Sequence, residues 1–301
     1  MATTLPSRIP TSTACPGAPV PSNTRPPRTS RSNVAIVDTP HLIARYSAYR
    51  CLFVPVFTAA GATAQIDAAI DWRTDTTLSP HTARIIGHSL QRFEIGERGD
   101  GDVLLGKARI GDPHYARALE LFVAEEQQHA RLLSRSLEHL GVPPLAHHWS
   151  NAVFVSARRM SSLRWEVMVL AVAEVVALSY CAAMSRCGDR AVESMSRRIL
   201  DDEHHHVTFQ IDSLSKGFES TPKAMIALLR ACWLVLATGA TAAVTLDHGA
   251  ALRACGSTRA RFVRDAWRNF RRVSSEAFPV RINRRRRSPL DPIPATSGTP
   301  A

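Results

Sequence analysis

Two short stretches of the chain carry the same donor pair. Phe122 to Leu133 reads FVAEEQQHARLL, and Leu200 to Gln210 reads LDDEHHHVTFQ. In each, a glutamate precedes a histidine by three residues, Glu126 with His129 and Glu203 with His206. Residues three apart on a helix are neighbours on one face, so each stretch presents a carboxylate beside an imidazole, a pair suited to holding a metal ion. Successive helical residues point about 100° apart, so of the three consecutive histidines only His206 shares the face of Glu203. His204 and His205 flank it.

The two stretches belong to a longer internal repeat. Sliding the chain on itself by 77 residues superposes Glu97 on Glu174, Glu125 on Asp202, Glu126 on Glu203 and His129 on His206. The same offset matches Gly111 with Gly188, Asp112 with Asp189, Ser136 with Ser213 and Leu137 with Leu214. Each half therefore reads as a lone glutamate, a Gly-Asp turn midway, and then Glu-x-x-His. The turn lies 15 residues after Glu97 and 14 before Glu126, so a helical hairpin brings the two carboxylates to one height. Two such hairpins would gather four carboxylates and two imidazoles at one level of a core. Glu174 stands alone in the apolar run VMVLAVAEVVAL, and a carboxylate on an apolar face is costly unless it is paired or ligated.

On these residues the segment from about 80 to 215 resembles the ferritin-like di-iron carboxylate superfamily, which takes one glutamate from each of two helices and Glu-x-x-His from each of two others. The resemblance implies an all-α fold, a ferritin-like four-helix bundle with additional C-terminal helices. It implies two iron ions, with manganese an option at one position. Glu126 and Glu203 would bridge the ions, Glu97 and Glu174 would be terminal carboxylates, and His129 and His206 would each ligate one ion. Asp202 and Glu125 are expected to hold the far N–H of a ligating histidine. Glu94, one turn before Glu97, competes with it for the first-helix position. The repeat favours Glu97, because Glu94 shifted by 77 residues falls on Ala171, so Glu94 is expected as an extra acid beside the site.

Departures from the resemblance narrow the function. The radical-forming subunit of ribonucleotide reductase carries a tyrosine one turn after its first Glu-x-x-His, where this chain has Leu133. Rubrerythrin has a cysteine-ligated iron module, and the six cysteines here (15, 51, 181, 187, 232 and 255) form no C-x-x-C pair. Ferritins lack a second complete Glu-x-x-His and end soon after the bundle. These contrasts imply a dioxygen-activating oxidase or oxygenase of a small-molecule or carrier-bound substrate, with an external electron donor. The alternatives are an iron- or peroxide-handling protein of ferroxidase or storage type, and a structural metal bundle whose basic tail carries the function.

Ser79-Pro80 and Asp112-Pro113 are helix starts, while Gly141 and Gly188 are helix stops. The pattern predicts helices near 80–110, 113–140, 158–187, 190–217, 222–252 and 257–275, and no strands. Residues 79–217 form the metal-holding domain, 41–78 an extension packing on it, and 222–275 a helical extension. The acid-free, proline-rich segment 1–40 and the basic tail 276–301 are expected to be disordered. Ala231 to Leu246 is apolar but short for a membrane span, and a buried core helix is predicted there.

Of the 37 basic residues 34 are arginine, and 12 of them fall between Arg253 and Arg287 against only Asp265 and Glu276. That region includes an amphipathic helix with Phe262, Val263, Ala266, Trp267, Phe270 and Val273 on one face and arginines on the other. It suits an anionic membrane or an acidic protein partner, or else a helix that caps the bundle with a solvated arginine face. An arginine run without a reading module is a poor basis for nucleic-acid binding. A cytoplasmic protein, peripheral to the membrane if the basic helix engages it, and a homodimer are consistent with this composition.

Overall fold

The structure is a computed structural model that describes residues 70–278, and the 1–40 arm, most of the 41–78 extension and the tail beyond Phe278 lie outside those residues. Among the described residues there are nine α-helices and no strand. They are α1 (Pro80–Glu97), α2 (Asp102–Ala108), α3 (Pro113–His139), α4 (Trp149–Arg159), α5 (Leu163–Met184), α6 (Arg190–Gly217), α7 (Lys223–Asp247), α8 (Gly249–Ala254) and α9 (Arg259–Ala277).

The starts and stops follow the local chemistry. Ser79 accepts from the Thr82 N–H and Pro80 opens α1, while Asp112 accepts from the His114 and Tyr115 N–H groups and Pro113 opens α3. Asp189 caps α6 by accepting from the Val192 N–H at 3.0 Å. Gly141 closes α3 at φ 66°, where its N–H reaches Glu138 O and the Val142 N–H reaches Leu137 O, the paired bonds of a glycine-terminated helix.

Asp189 also joins the two hairpins. His139, the last residue of α3, donates from Nε2 to its carboxylate at 3.1 Å, and Thr76 Oγ1 donates to it at 2.7 Å. Trp72 packs edge-on against the His139 ring, and Ile70 is buried in the same core, so the described end of the N-terminal extension covers this junction.

Helix α1 packs on α3, α5 on α6, and α3 on α6. Their shared core includes Ile86, Leu90, Leu133, Leu137, Tyr180, Met184 and Ile199. Outside them α7 and α9 lie side by side on α5, held by Trp233, Phe270 and Phe278 packed edge to face and by the Trp233 Nε1–H donated to Met168 O at 2.7 Å.

Three expectations are corrected. The first helix stops at Glu97 instead of continuing to 110. Arg98 to Gly101 break it, with Gly101 at φ 72° and its Cα facing the methyl groups of Val123 so closely that a Cβ would sit 2.6 Å from one of them. The helix expected from 158 begins only at Leu163, because Ser162 caps it, and a separate α4 precedes it. The Ala231–Leu246 segment is helical but not a buried core helix. Among the described residues, two helices are long and apolar enough to cross a membrane. In α5 83% of the apolar window is buried inside the protein and in α7 only 17%. Only Trp233, Ala237 and Thr241 of α7 are buried, a stripe one residue wide, and Leu228, Leu234, Val235 and Leu246 are exposed.

The amphipathic reading of α9 holds. Phe262, Ala266, Phe270 and Val273 are buried, while Arg261, Arg264 and Arg268 are exposed and cluster around the half-buried Asp265.

Because Gly101 combines a left-handed backbone with contact against a stiff β-branched side chain, Gly101→Ala should destabilise the protein by about 2–4 kcal/mol. Urea denaturation followed by circular dichroism measures it; a change within error would show that the break after Glu97 tolerates a side chain.

Candidate metal centre

The site is built from the middles of α3 and α6. Glu126 and His129 project from α3, Glu203 and His206 from α6, and one donor atom from each lies within 4.8 Å of the others. This Glu/His cluster can hold a metal ion. His204 and His205 point outward and are exposed, and the His204 ring bonds back to Leu200 O.

Each histidine is oriented by the opposite helix. His129 donates from Nε2 to Asp202 at 3.2 Å, and His206 donates from Nε2 to Glu125 at 3.0 Å. Asp202 is in turn held by Arg198 at 2.8 Å. The acid preceding the central glutamate of one helix thus holds the histidine of the other. With the Nε2 proton committed outward, each ring turns Nδ1 toward the carboxylates.

The inward distances describe a shared layer. His206 Nδ1 lies 3.0 Å from Glu126 Oε1, 3.6 Å from Glu203 Oε2 and 3.9 Å from Glu174 Oε2. His129 Nδ1 lies 3.8 Å from Glu126 Oε1 and 3.7 Å from Glu203 Oε1. Donors that share one ion at about 2.1 Å sit about 3–4 Å apart, the spacing found here. Glu203 divides its oxygens, Oε1 toward His129 and Oε2 toward His206, and neither has a hydrogen-bond partner. His129 Nδ1 and Glu97 Oε2 are likewise enclosed without one. Buried polar atoms without partners are rare, and their convergence on one point fits a cation that satisfies them together.

Glu97 and Glu174 stand at the edges of this layer. Glu97, the last residue of α1, lies beside Glu126, and Glu174 from mid-α5 accepts from Gln210 Nε2 at 3.1 Å. Gln210 was not among the expected site residues. It lies seven residues past Glu203 on the inward face of α6, and the repeat places it opposite Leu133, so only that phase singles it out. Glu94 is buried too, but it accepts from Ser134 at 3.0 Å and pairs with Arg98 at 2.7 Å, a brace between α1 and α3.

The electrostatics are those of crowded acids. Burial, then the charge of Glu126, holds the Glu97 carboxyl well above its ordinary range, and burial with the charge of Glu174 does the same to Glu203. Burial opposes ionisation of Glu126 as well, but the hydrogen bond and charge of His206 outweigh it and bring this carboxyl down to about 2. Burial alone would discharge His206, yet the carboxylates of Glu125, Glu126, Glu174 and Glu203 gathered around its ring raise it well above the usual imidazole range. The metal-free layer thus balances itself with protons. No protein-family description, curated protein or solved structure matches the chain.

A metal ion must displace the protons held by Glu97, Glu203 and His206, whose affinities for them are raised. Ferrous ion uptake should therefore release protons, and affinity should strengthen as pH rises through neutrality. Titration in weak buffer with a pH indicator reads the release, and pH-independent binding would contradict this protonation pattern. Replacing Asp202 by Ala removes the acceptor that holds the His129 ring and should weaken metal binding about 10–100-fold in equilibrium dialysis.

Proposed function

We propose that the chain is a dioxygen-activating oxidoreductase with two iron ions, or one iron and one manganese, on a ferritin-like bundle formed by α1, α3, α5 and α6. The observation that carries this reading is the division of the Glu203 oxygens between two inward-facing imidazoles, with Glu126 beside both. Glu126 and Glu203 would serve both ions, and each ion would have one imidazole and one terminal carboxylate, from Glu97 or Glu174. Carboxylate oxygens with one imidazole per ion and no thiolate suit iron or manganese. When bound, iron supplies dioxygen binding and electron transfer.

The chain's own residues supply the rest. Asp202 and Glu125 hold the imidazoles in one tautomer, Gln210 orients Glu174, and Leu133 and Ile199, buried one turn from His129 and Glu203, help keep water from the layer. The layer is more open on one side. The Glu126 side chain keeps 18% of its exposure and Glu97 is half-buried, whereas Glu203 and His206 are fully enclosed. An organic substrate, small or presented on a carrier, would approach from the Glu97 and Glu126 side.

Iron analysis after anaerobic loading with ferrous ion should give about two per chain in the wild type and fewer in Glu203→Ala. Admitting dioxygen should then raise a near-ultraviolet absorption band in the wild type alone. Stoichiometric iron followed by mineralisation of many more ions would favour iron storage, and no stoichiometric metal would sink the di-metal reading.

A further inference from the structure

Helix α7 carries an uncovered apolar row. From Ala231 to Leu246 it reads ACWLVLATGATAAVTL, without an acid or a base. Trp233, Ala237 and Thr241 form its buried stripe, and Leu228, Val235, Ala242 and Leu246 fall on the opposite side of the helix. Val235 keeps 70% and Leu246 71% of full exposure, and Met225 and Leu234 are exposed as well. From Leu228 to Leu246 the row is about 27 Å long. The hydroxyls here are satisfied by the helix itself. Thr238 Oγ1 donates to Leu234 O at 2.7 Å and Thr245 Oγ1 donates to Thr241 O at 2.6 Å, so neither proton requires water.

Beside this row lies a strongly basic helix. α7 and α9 pack together on α5, each through its buried stripe, so the apolar row and the arginines of α9 are neighbours on the outer surface. Between Arg259 and Ala277 there are six arginines, all exposed, against only Asp265 and Glu276. Arg261, Arg264 and Arg268 share the one carboxylate of Asp265, at 3.8, 3.9 and 3.4 Å, which leaves an excess of positive charge there. An occupant has to answer both rows. A second copy seated on α7 would cover the apolar row and leave the arginines unmatched. A nucleic acid would match the arginines and leave the apolar row in water. An anionic bilayer offers both in adjacent layers, negative headgroups outside and hydrocarbon just beneath.

We propose that α7 and α9 form a docking surface for an anionic lipid bilayer, with the row from Leu228 to Leu246 at the acyl boundary and the α9 arginines on the headgroups. This surface is separate from the metal centre and does not depend on what that centre binds. Helix α7 lies in the plane of the interface and does not cross it. Trp233 donates its Nε1–H to Met168 O of α5 and packs edge to face on Phe270 and Phe278, so a crossing would tear α7 from the protein. Arginine suits the headgroup layer, because its planar fork pairs with phosphate oxygens while its carbon stem packs along apolar surface.

The test sediments the full-length protein with sucrose-loaded vesicles, made of phosphatidylcholine alone or of phosphatidylcholine with phosphatidylserine. The expected result is binding to the mixed vesicles, weakened by salt, and little binding to the neutral ones. The double variant Val235→Glu, Leu246→Glu changes exposed positions only, so its melting by circular dichroism should match the wild type while vesicle binding falls about 10-fold or more. Arg264→Gln with Arg268→Gln should weaken binding about 30-fold. Binding that survives the α7 variant rests on basic residues alone and overturns docking through α7. Equal binding to neutral and mixed vesicles removes the arginines from the surface and overturns their pairing with headgroups. No binding to either vesicle overturns the proposal outright, and a dimer in analytical ultracentrifugation that Val235→Glu splits would then give the row to a second copy.

Discussion

Carboxylates gathered at one level of a helical core lose their water and repel one another, and the arrangement of α3 and α6 answers that problem. The answer is crosswise. Each of these helices contributes a central glutamate, a histidine one turn later, and an acid that grips the other helix's histidine. Removing an inward group leaves its buried neighbours uncompensated, so the layer stands or falls as a unit. The helix caps are subordinate to it. Asp112 and Asp189 set where α3 and α6 begin, and thereby the height at which Glu126 and Glu203 meet.

Much of this was legible because it is periodic. The offset of 77 residues marked both hairpins, the inward histidine among three, and the acids that orient the rings. Where the two halves diverge, the pattern misled or was silent. Helix α1 ends at Glu97 although α5 runs ten residues past Glu174, because Gly101 admits a left-handed turn that the repeat does not encode. Gln210 has no counterpart in the other half. The hydrogen-bonded chain of Tyr180, Ser89 and His248 joins residues up to 159 positions apart through packing of α1, α5 and the α7 to α8 junction, and no local spacing announces it.

Helix α7 shows a different limit. Its apolar run fits a buried helix, yet α5 already occupies the core and α7 reaches it through one narrow stripe. Composition reports what a helix tolerates on its surface, and packing decides which part is covered. The arginines of α9 illustrate the converse, since the alternation of apolar and basic residues identified four of its buried positions, Phe262, Ala266, Phe270 and Val273.

The break after Glu97 bears on how the two sides of the centre respond to a change in their contents. Glu174 is anchored by continuous helix on both sides and by Gln210, so moving it would strain a rigid rod. Glu97 is carried on a terminal turn, and Arg98 to Gly101 after it are not helical. Terminal turns open at low free energy, whereas mid-helix positions move only with the core. The two halves share a motif and differ in how its first glutamate is held, Glu174 within a continuous helix and Glu97 at a helix end.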